Sequence, residues 1–442
     1  MGIGRSEPRP ASAVLLSRGA RVWLGRRGLT RFLPGFSVFP GGGCESGEEH
    51  TEAAIRELFE ETGVRAREKE LTPFARAVTP AFSPYRFDVR VYRLELPAGR
   101  EPSPDGRELV DGAWFEAEEI FSEWSTGSLS LAPPTLRQLQ LWNDCRLARR
   151  EWPSETEAFG SPPTEDQEIL PMGRGVVLVP LRTRAMPPAA WTNAALLGER
   201  DLYILDPGGP DVSKLLAQVE RMVAEGSTLK GVVLTHHHPD HIEGYHGLGM
   251  CHLPLYCHRL TAELLPPDFP LPQLLEEGDS LALTDDLTLR AHFTPGHAPG
   301  HLAFELPQTK TVIAGDLISS LSSIVIPSDN GSLRDYLRSL EKLRSLECHL
   351  VVPSHGPPYG RGCDPFGQAI LHRQKREEQV FRALISEART PDELTHLIYR
   401  GLDPALFPAA RANIRHHLWK LRDEGRAMEG PEGLFSAVVT TG

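Results

Sequence analysis

A chain of 442 residues is longer than one hydrophobic core usually supports, so two to four domains are expected. With 40% hydrophobic residues, 24% charged residues and a net charge of -12, it has an ordinary soluble balance. That charge excludes a generally basic nucleic-acid coat and leaves room only for a local basic patch. No apolar run approaches the roughly 20 residues of a membrane span, and no signal-peptide apolar region follows the N-terminal arginines. The cytoplasm is therefore the expected compartment. The cysteines Cys44, Cys145, Cys251, Cys257, Cys348 and Cys363 are scattered, with no C-x-x-C pair, and read as reduced thiols.

Residues 1–10 read as a frayed tail. Ala13 to Leu24 alternates as a strand or a hairpin around Arg18-Gly19, and Phe36 to Phe39 is a further short strand. Pro40-Gly41-Gly42-Gly43 breaks that strand, and a helix follows to about Thr62, with Gly63 as its stop. This helix carries the spacing G-x5-E-x7-R-E-U-x-E-E-x-G-U (U aliphatic): Gly42, Glu48, Arg56, Glu57, Leu58, Glu60, Glu61, Gly63 and Val64. Glu57, Glu60 and Glu61 stand at i, i+3 and i+4, so their carboxylates share one helix face, and no cation at i+4 relieves them. Hard oxygen ligands on one face suit Mg2+ or Mn2+, which also take phosphate oxygens. The plain alternative is a solvated acidic helix.

Every fixed position of that pattern resembles the Nudix hydrolase box, and the resemblance runs from about residue 11 to 148. It implies metal binding by Glu57, Glu60 and Glu61, activation of water by Glu57, and an Arg56 that orients a carboxylate. The implied reaction splits a nucleoside diphosphate from a linked group. Pro40-Gly41-Gly42, Arg86-Phe87-Asp88 and Leu131-Ala132-Pro133-Pro134-Thr135 look most like the branch that contains coenzyme A diphosphatases.

Residues 149–173 lose apolar periodicity and turn to Pro, Ser and Glu, as in Ser161-Pro162-Pro163-Thr164-Glu165-Asp166, which predicts a linker. From Gly175 strands alternate with helices, the pattern of an α/β domain. Asp206-Pro207-Gly208-Gly209 ends one strand, and an amphipathic helix spans about Asp211 to Glu225. The apolar run Leu229 to Leu234 reads as a buried strand.

That strand opens into Thr235-His236-His237-His238-Pro239-Asp240-His241. Four imidazoles and a carboxylate in one loop repel or crowd one another unless a cation gathers them, and neutral imidazole suits zinc. Further candidates end other strands: His297 in Thr294-Pro295-Gly296-His297, Asp316 in Ala314-Gly315-Asp316, and His355 in Pro353-Ser354-His355-Gly356. The pattern resembles the metallo-β-lactamase superfamily over about residues 174–365. The resemblance implies one zinc on His236, His238 and His297, a second on Asp240, His241 and His355, and Asp316 between them. His237 and His301 are expected outside the ligand set, and His246, His252, His258 and His292 carry no motif support.

Thr390-Pro391-Asp392-Glu393 starts a helix, and Ala409 to Glu424 forms another that contains Arg411, Arg415, His416, His417, Lys420 and Arg422. A β-wing around Gly430-Pro431-Glu432-Gly433 follows. This order resembles the winged helix of lactamase-β-like 2 proteins, one branch of which includes single-strand endoribonucleases. Its basic helix either meets phosphates or packs with a solvated face.

The expected architecture is multi-domain α/β and α+β: a Nudix α/β/α sandwich over 1–148, a linker over 149–173, a metallo-β-lactamase αββα sandwich over 174–365 and a winged helix over 366–442. The expected activity is that of a bifunctional metallohydrolase, with two Zn2+ in one centre and Mg2+ or Mn2+ in the other. Its partners are a nucleotide or coenzyme A-like small molecule, with single-stranded RNA as an alternative and no membrane. A nucleotide-sensing winged-helix regulator is the reading from another class, and intact carboxylates argue against it.

Overall fold

The computed structural model describes residues 7–30, 32–147, 150–160 and 168–438. A mixed seven-stranded sheet forms from the first 116 residues. Its hairpin joins Arg9–Arg18 to Arg21–Arg27, and Arg9–Arg18 also pairs in parallel with Phe87–Glu95. Both faces are covered. Ala54 and Leu58 of helix His50–Thr62 pack on one face beside Val14, Leu16 and Trp23. Helices Ala117–Ser125 and Pro133–Arg146 bring Ile120, Leu136, Leu139 and Trp142 to the other. Helix His50–Thr62 ends at Gly63, whose φ of 68° is the left-handed cap that the sequence predicts there.

Where the sequence reads a linker, two elements form. Ser154 and Glu157 make a reciprocal cap for the short helix Glu155–Phe159, and the Phe159 ring meets Tyr92 at 5.4 Å. Ser and Glu here are capping residues rather than linker composition. Leu170–Gly173 adds an edge strand to the second sheet. The Ser161–Asp166 stretch lies outside the described residues, as do residues 1–6.

Residues 170–355 build two stacked sheets, one of seven strands and one of five. Leu178, Ala195, Leu205, Val233, Phe304 and Val352 fill the layer between them. Helix Ser213–Ala224 covers the outer face of the first sheet with Leu215 and Val219. Helices Leu333–Arg344 and Pro365–Ser386 cover the second with Tyr336, Leu340, Phe366 and Ile370. This is the expected αββα order. Phe36 and Ala132 of the first domain join the inter-sheet core, so the two halves share apolar packing. Gly360 N donates to Pro34 O at 2.8 Å across the same junction, and His349 Nδ1 donates to Gly127 O at 3.0 Å.

Helices Pro391–Ile398 and Phe407–Asp423 and the two-stranded ribbon Ala427–Glu429 with Phe435–Ala437 enclose Leu394, Ile414, Leu418, Leu421 and Phe435. Much of the basic helix's charge is paired with neighbouring acids. Lys420 pairs with Glu377 at 3.0 Å and Glu424 at 2.7 Å, Arg422 with Glu429 at 2.7 Å, and Arg411 with Asp392 at 3.3 Å. His416 and His417 are buried. No helix among the described residues is long and apolar enough to cross a membrane.

Candidate metal centres and their surroundings

The strand Thr228–Val233 delivers His236 and His238 directly from its end, and the turn Pro239–Ile242 presents Asp240 and His241. Asp316 sits in strand Thr311–Ser319, and His355 closes strand Leu350–His355. Leu302 N donates to Thr235 O at 2.9 Å, tying the two sheets together beside the loop.

All seven side chains converge. His236, His238 and His297 bring ligand atoms within 4.8 Å of one another, as do Asp240, His241 and His355, and as do His236, His241 and Asp316. His238 Nδ1 lies 3.0 Å from His236 Nε2 and 2.9 Å from His297 Nε2. Asp316 splits between the trios: Oδ2 is 3.4 Å from His297 Nε2, while Oδ1 is 3.5 Å from His241 Nε2 and 3.4 Å from His355 Nε2. Tetrahedral zinc with bonds of ~2.0–2.1 Å sets its ligand atoms roughly 3.3 Å apart, close to these separations. His241 Nε2 and Asp316 Oδ1 are buried without hydrogen bonds, facing one another. Buried polar atoms left so are costly, and a divalent cation between them removes the cost. The donor set therefore fits two such ions.

Four of the five ligand imidazoles are oriented from behind. His297 Nδ1 donates to Val325 O at 2.8 Å, and His355 Nδ1 donates to Trp191 O at 2.9 Å. His241 Nδ1 lies 2.8 Å from Asp206 Oδ2. Thr235 Oγ1 donates to Asp206 Oδ2 at 2.6 Å and so accepts from His236 Nδ1 at 2.9 Å. These bonds engage Nδ1 of all four and so turn Nε2 of each inward, where a cation would take the place of a proton.

The charges follow the same geometry. Burial, then the neighbouring imidazoles, push His238 down to about 3. Burial opposes a proton on His355, yet Asp316 and Asp240 outweigh it and hold the ring up at about 10. Burial would raise Asp316, but His355 and His241 hold it well below the usual carboxylate range. His301 stands outside the trios: its Nε2 accepts from Asp316 N at 3.1 Å and its Nδ1 meets Thr294 Oγ1 at 2.9 Å. His246, His258 and His292 face Asp268, Glu276 and Glu305 at 3.0, 3.1 and 2.8 Å, away from the trios.

The box glutamates are arranged differently. Arg56 Nη1 reaches Glu57 at 2.9 Å and Glu60 at 3.1 Å, and its Nε reaches Glu48 at 2.8 Å. This corrects the expectation that no cation relieves the acidic face: Arg56 lies four residues before Glu60. Glu61 is buried and accepts from Gly41 N at 2.8 Å. Burial, then Glu57 and Glu108, raise its carboxyl to about 8 despite that amide. Burial likewise raises Glu57. The three carboxylates thus share a face without the tight convergence of the histidine centre. Buried acid beside exposed Glu60 is the donor chemistry of a hard cation that keeps water and phosphate ligands.

Sequence reading missed two acids. Glu108 is a charge neighbour of both Glu57 and Glu61, from a loop 47 or more residues away in the chain. Asp206 buttresses His241 and Thr235, and its strand-end position is the signal that singled out Asp316.

Family comparisons agree with this geometry. The models described as "NUDIX domain", "Metallo-beta-lactamase superfamily" and "Beta-lactamase associated winged helix domain" match residues 7–133, 192–355 and 390–433. A "Beta-lactamase-like protein 2 homolog" of Caenorhabditis elegans is 29% identical over 248 residues, covering 54% of this chain and 81% of that protein. An "Atrochrysone carboxyl ACP thioesterase" of Aspergillus fumigatus is 29% identical over 202 residues, covering 44% of this chain and 59% of that protein. A "Beta-lactamase domain protein" structure from Burkholderia ambifaria superposes with a TM-score of 0.51 at 21% identity, covering 60% of this chain and 91% of that one, a likeness of fold. The chain carries two hydrolase domains, a Nudix domain and a metallo-β-lactamase superfamily domain followed by its associated winged helix.

Proposed function

We propose that the chain is a bifunctional metallohydrolase whose Nudix centre cleaves the diphosphate of a nucleotide-linked, coenzyme A-type compound and whose histidine centre cleaves an ester, thioester or lactone. The observation that carries the reading is the meeting of His236, His238, Asp240 and His241 from one loop with His297, Asp316 and His355 from three other segments. In this reading His236, His238 and His297 hold one zinc, Asp240, His241 and His355 hold the other, and Asp316 is shared. A bound pair of zinc ions supplies an acidified water and polarises the bond under attack. Asp240, 3.4 Å from His355, would position the attacking water there and take up its proton.

Glu57, Glu60 and Glu61 hold Mg2+ or Mn2+ at the other centre, with Glu57 as base. Arg56 holds Glu57 and Glu60 in place and keeps their repulsion low. The same reading divides the chain at 1–148, 149–173, 174–365 and 366–442. An RNA phosphodiester fits less well, because the basic helix pairs internally and the chain carries a charge of -12.

The test is a screen of purified protein against coenzyme A esters, nucleoside diphosphate sugars, dinucleotides and single-stranded RNA, with Glu57→Gln and Asp240→Ala variants. Each variant is expected to lose at least a hundredfold in one activity only. Hydrolysis untouched by either variant, beside tight salt-dependent nucleic-acid binding, would overturn the enzyme reading in favour of a regulator.

A further inference from the structure

A cavity of about 490 Å3 lies between the two hydrolase domains, within the roughly 300–1,000 Å3 of small-molecule sites. One end is built by Gly41, Gly42 and Gly43 with Arg27 and Glu108. Gly42 is backed directly by the Glu57 carboxylate and Gly41 by Glu61, so this end is the glycine strand that packs against the Nudix helix. The other end is built by Gly356, Pro357 and Leu321 with Asn193 and Trp191. There Trp191 O holds His355, and Asn193 Nδ2 donates to Pro353 O and Gly356 O at 2.9 Å each, fixing the strand end that presents that histidine.

The walls between these ends are apolar and come from both domains. Phe82 and Val89 of the first face Met172, Leu178 and Trp191 of the second, and the Phe82 and Trp191 rings meet at 6.1 Å. A nucleoside diphosphate alone has no use for such walls, and a short acyl ester alone has none for the Arg27 end. A molecule with a diphosphate at one end and an acyl group at the other, joined by a linear arm, suits both ends and the middle.

We infer that this cavity takes one ligand for both centres: an acyl thioester carried on a nucleoside diphosphate, the chemistry of an acyl-coenzyme A. The inference rests on the two-hydrolase reading and names its shared substrate class. At the histidine centre one water adds to the thioester carbonyl, the C–S bond breaks, and a carboxylic acid and a thiol result. At the Nudix centre one water adds to phosphorus, the P–O–P bridge breaks, and two phosphomonoesters result.

The experiment compares butyryl-coenzyme A with S-butyryl pantetheine, which lacks the nucleotide. The coenzyme A ester carries a methylene bridge in place of the diphosphate oxygen, so that only the thioester is consumed. The nucleotide-bearing ester is expected to have a kcat/KM at least tenfold higher. Ala81→Trp, which adds bulk on an exposed loop residue lining the cavity, is expected to erase most of that preference. Equal kcat/KM for the two thioesters, or hydrolysis of simple esters but of neither thioester, would overturn the shared ligand while leaving two hydrolytic centres intact. No turnover of any diphosphate or ester by the wild-type protein would instead overturn the two-hydrolase reading.

Discussion

His297 and Asn413 grip the two sides of one peptide group, the Val325–Ile326 bond. His297 Nδ1 donates to Val325 O at 2.8 Å, and Ile326 N donates to Asn413 Oδ1 at 3.1 Å. His416 Nε2 adds a bond to Pro327 O at 2.8 Å. The winged helix therefore braces the backbone that aims a histidine of the metal centre. Groups that orient ligands typically change metal affinity about 10–100-fold, and Asn413 acts one bond further out. Asn413→Ala is expected to weaken zinc retention by about threefold to tenfold in a chelator competition while diphosphate hydrolysis stays unchanged. Equal retention by variant and wild type would show that the domain does not brace the centre.

Asp206 gives a sharper case. It is buried, accepts from Thr235 N at 2.8 Å and faces His241 Nδ1 at 2.8 Å. Asp206→Asn keeps the shape and removes the charge that favours a His241 N–H toward it. Metal affinity at the second trio should fall by about 10–100-fold. Titration with Zn2+ against a chromophoric chelator reads this directly, and a fall at both ions alike would mean a general loss of fold.

Gly42 leaves no room for a side chain, because a Cβ there would run into the Glu57 carboxylate. Gly42→Ala should displace Glu57 and lower diphosphate hydrolysis at least tenfold with ester hydrolysis retained. Activity at the wild-type level would show that Glu57 tolerates displacement and is not the base.

Acid should loosen the C-terminal domain through His417. Burial pushes this imidazole from 6.5 down to about 4, with Glu377 only 3.6 Å away as partial compensation. Because the folded value is depressed, the unfolded chain takes up the proton first. The stability His417 brings is complete above about pH 6.5 and is lost as pH falls toward 4, by about 3 kcal/mol at most. His417→Leu should flatten the fall in Tm over that window, and an unchanged slope would place the acid sensitivity elsewhere.

The histidine centre was legible because its candidates stand within a few residues of Gly or Pro and the resemblance assigned them ligand roles, although Asp316, read as a strand end, lies within strand Thr311–Ser319. Helix His50–Thr62 and its Gly63 stop were legible for the same local reason. Long-range relationships were not. Asp206 meets His241 across 35 residues, and Glu108 approaches Glu57 and Glu61 through the sheet, with no periodicity to announce either. The charge of helix Phe407–Asp423 left two readings open, because which lysines and arginines are paired depends on acids such as Glu377, more than 40 residues away in the chain. Nor does spacing reveal that Phe36 and Ala132 enter the core of the second domain.

The most direct test of two separate hydrolytic centres in one chain is metal content measured beside both activities in wild type, His236→Ala and Glu60→Gln. About two zinc ions per chain are predicted for wild type and for Glu60→Gln. His236→Ala is predicted to lose at least one ion and its ester hydrolysis while diphosphate hydrolysis persists, and Glu60→Gln is predicted to show the reverse loss of activity. Zinc-free wild-type protein that hydrolyses esters normally, or a single variant that abolishes both activities while folded, would contradict the account.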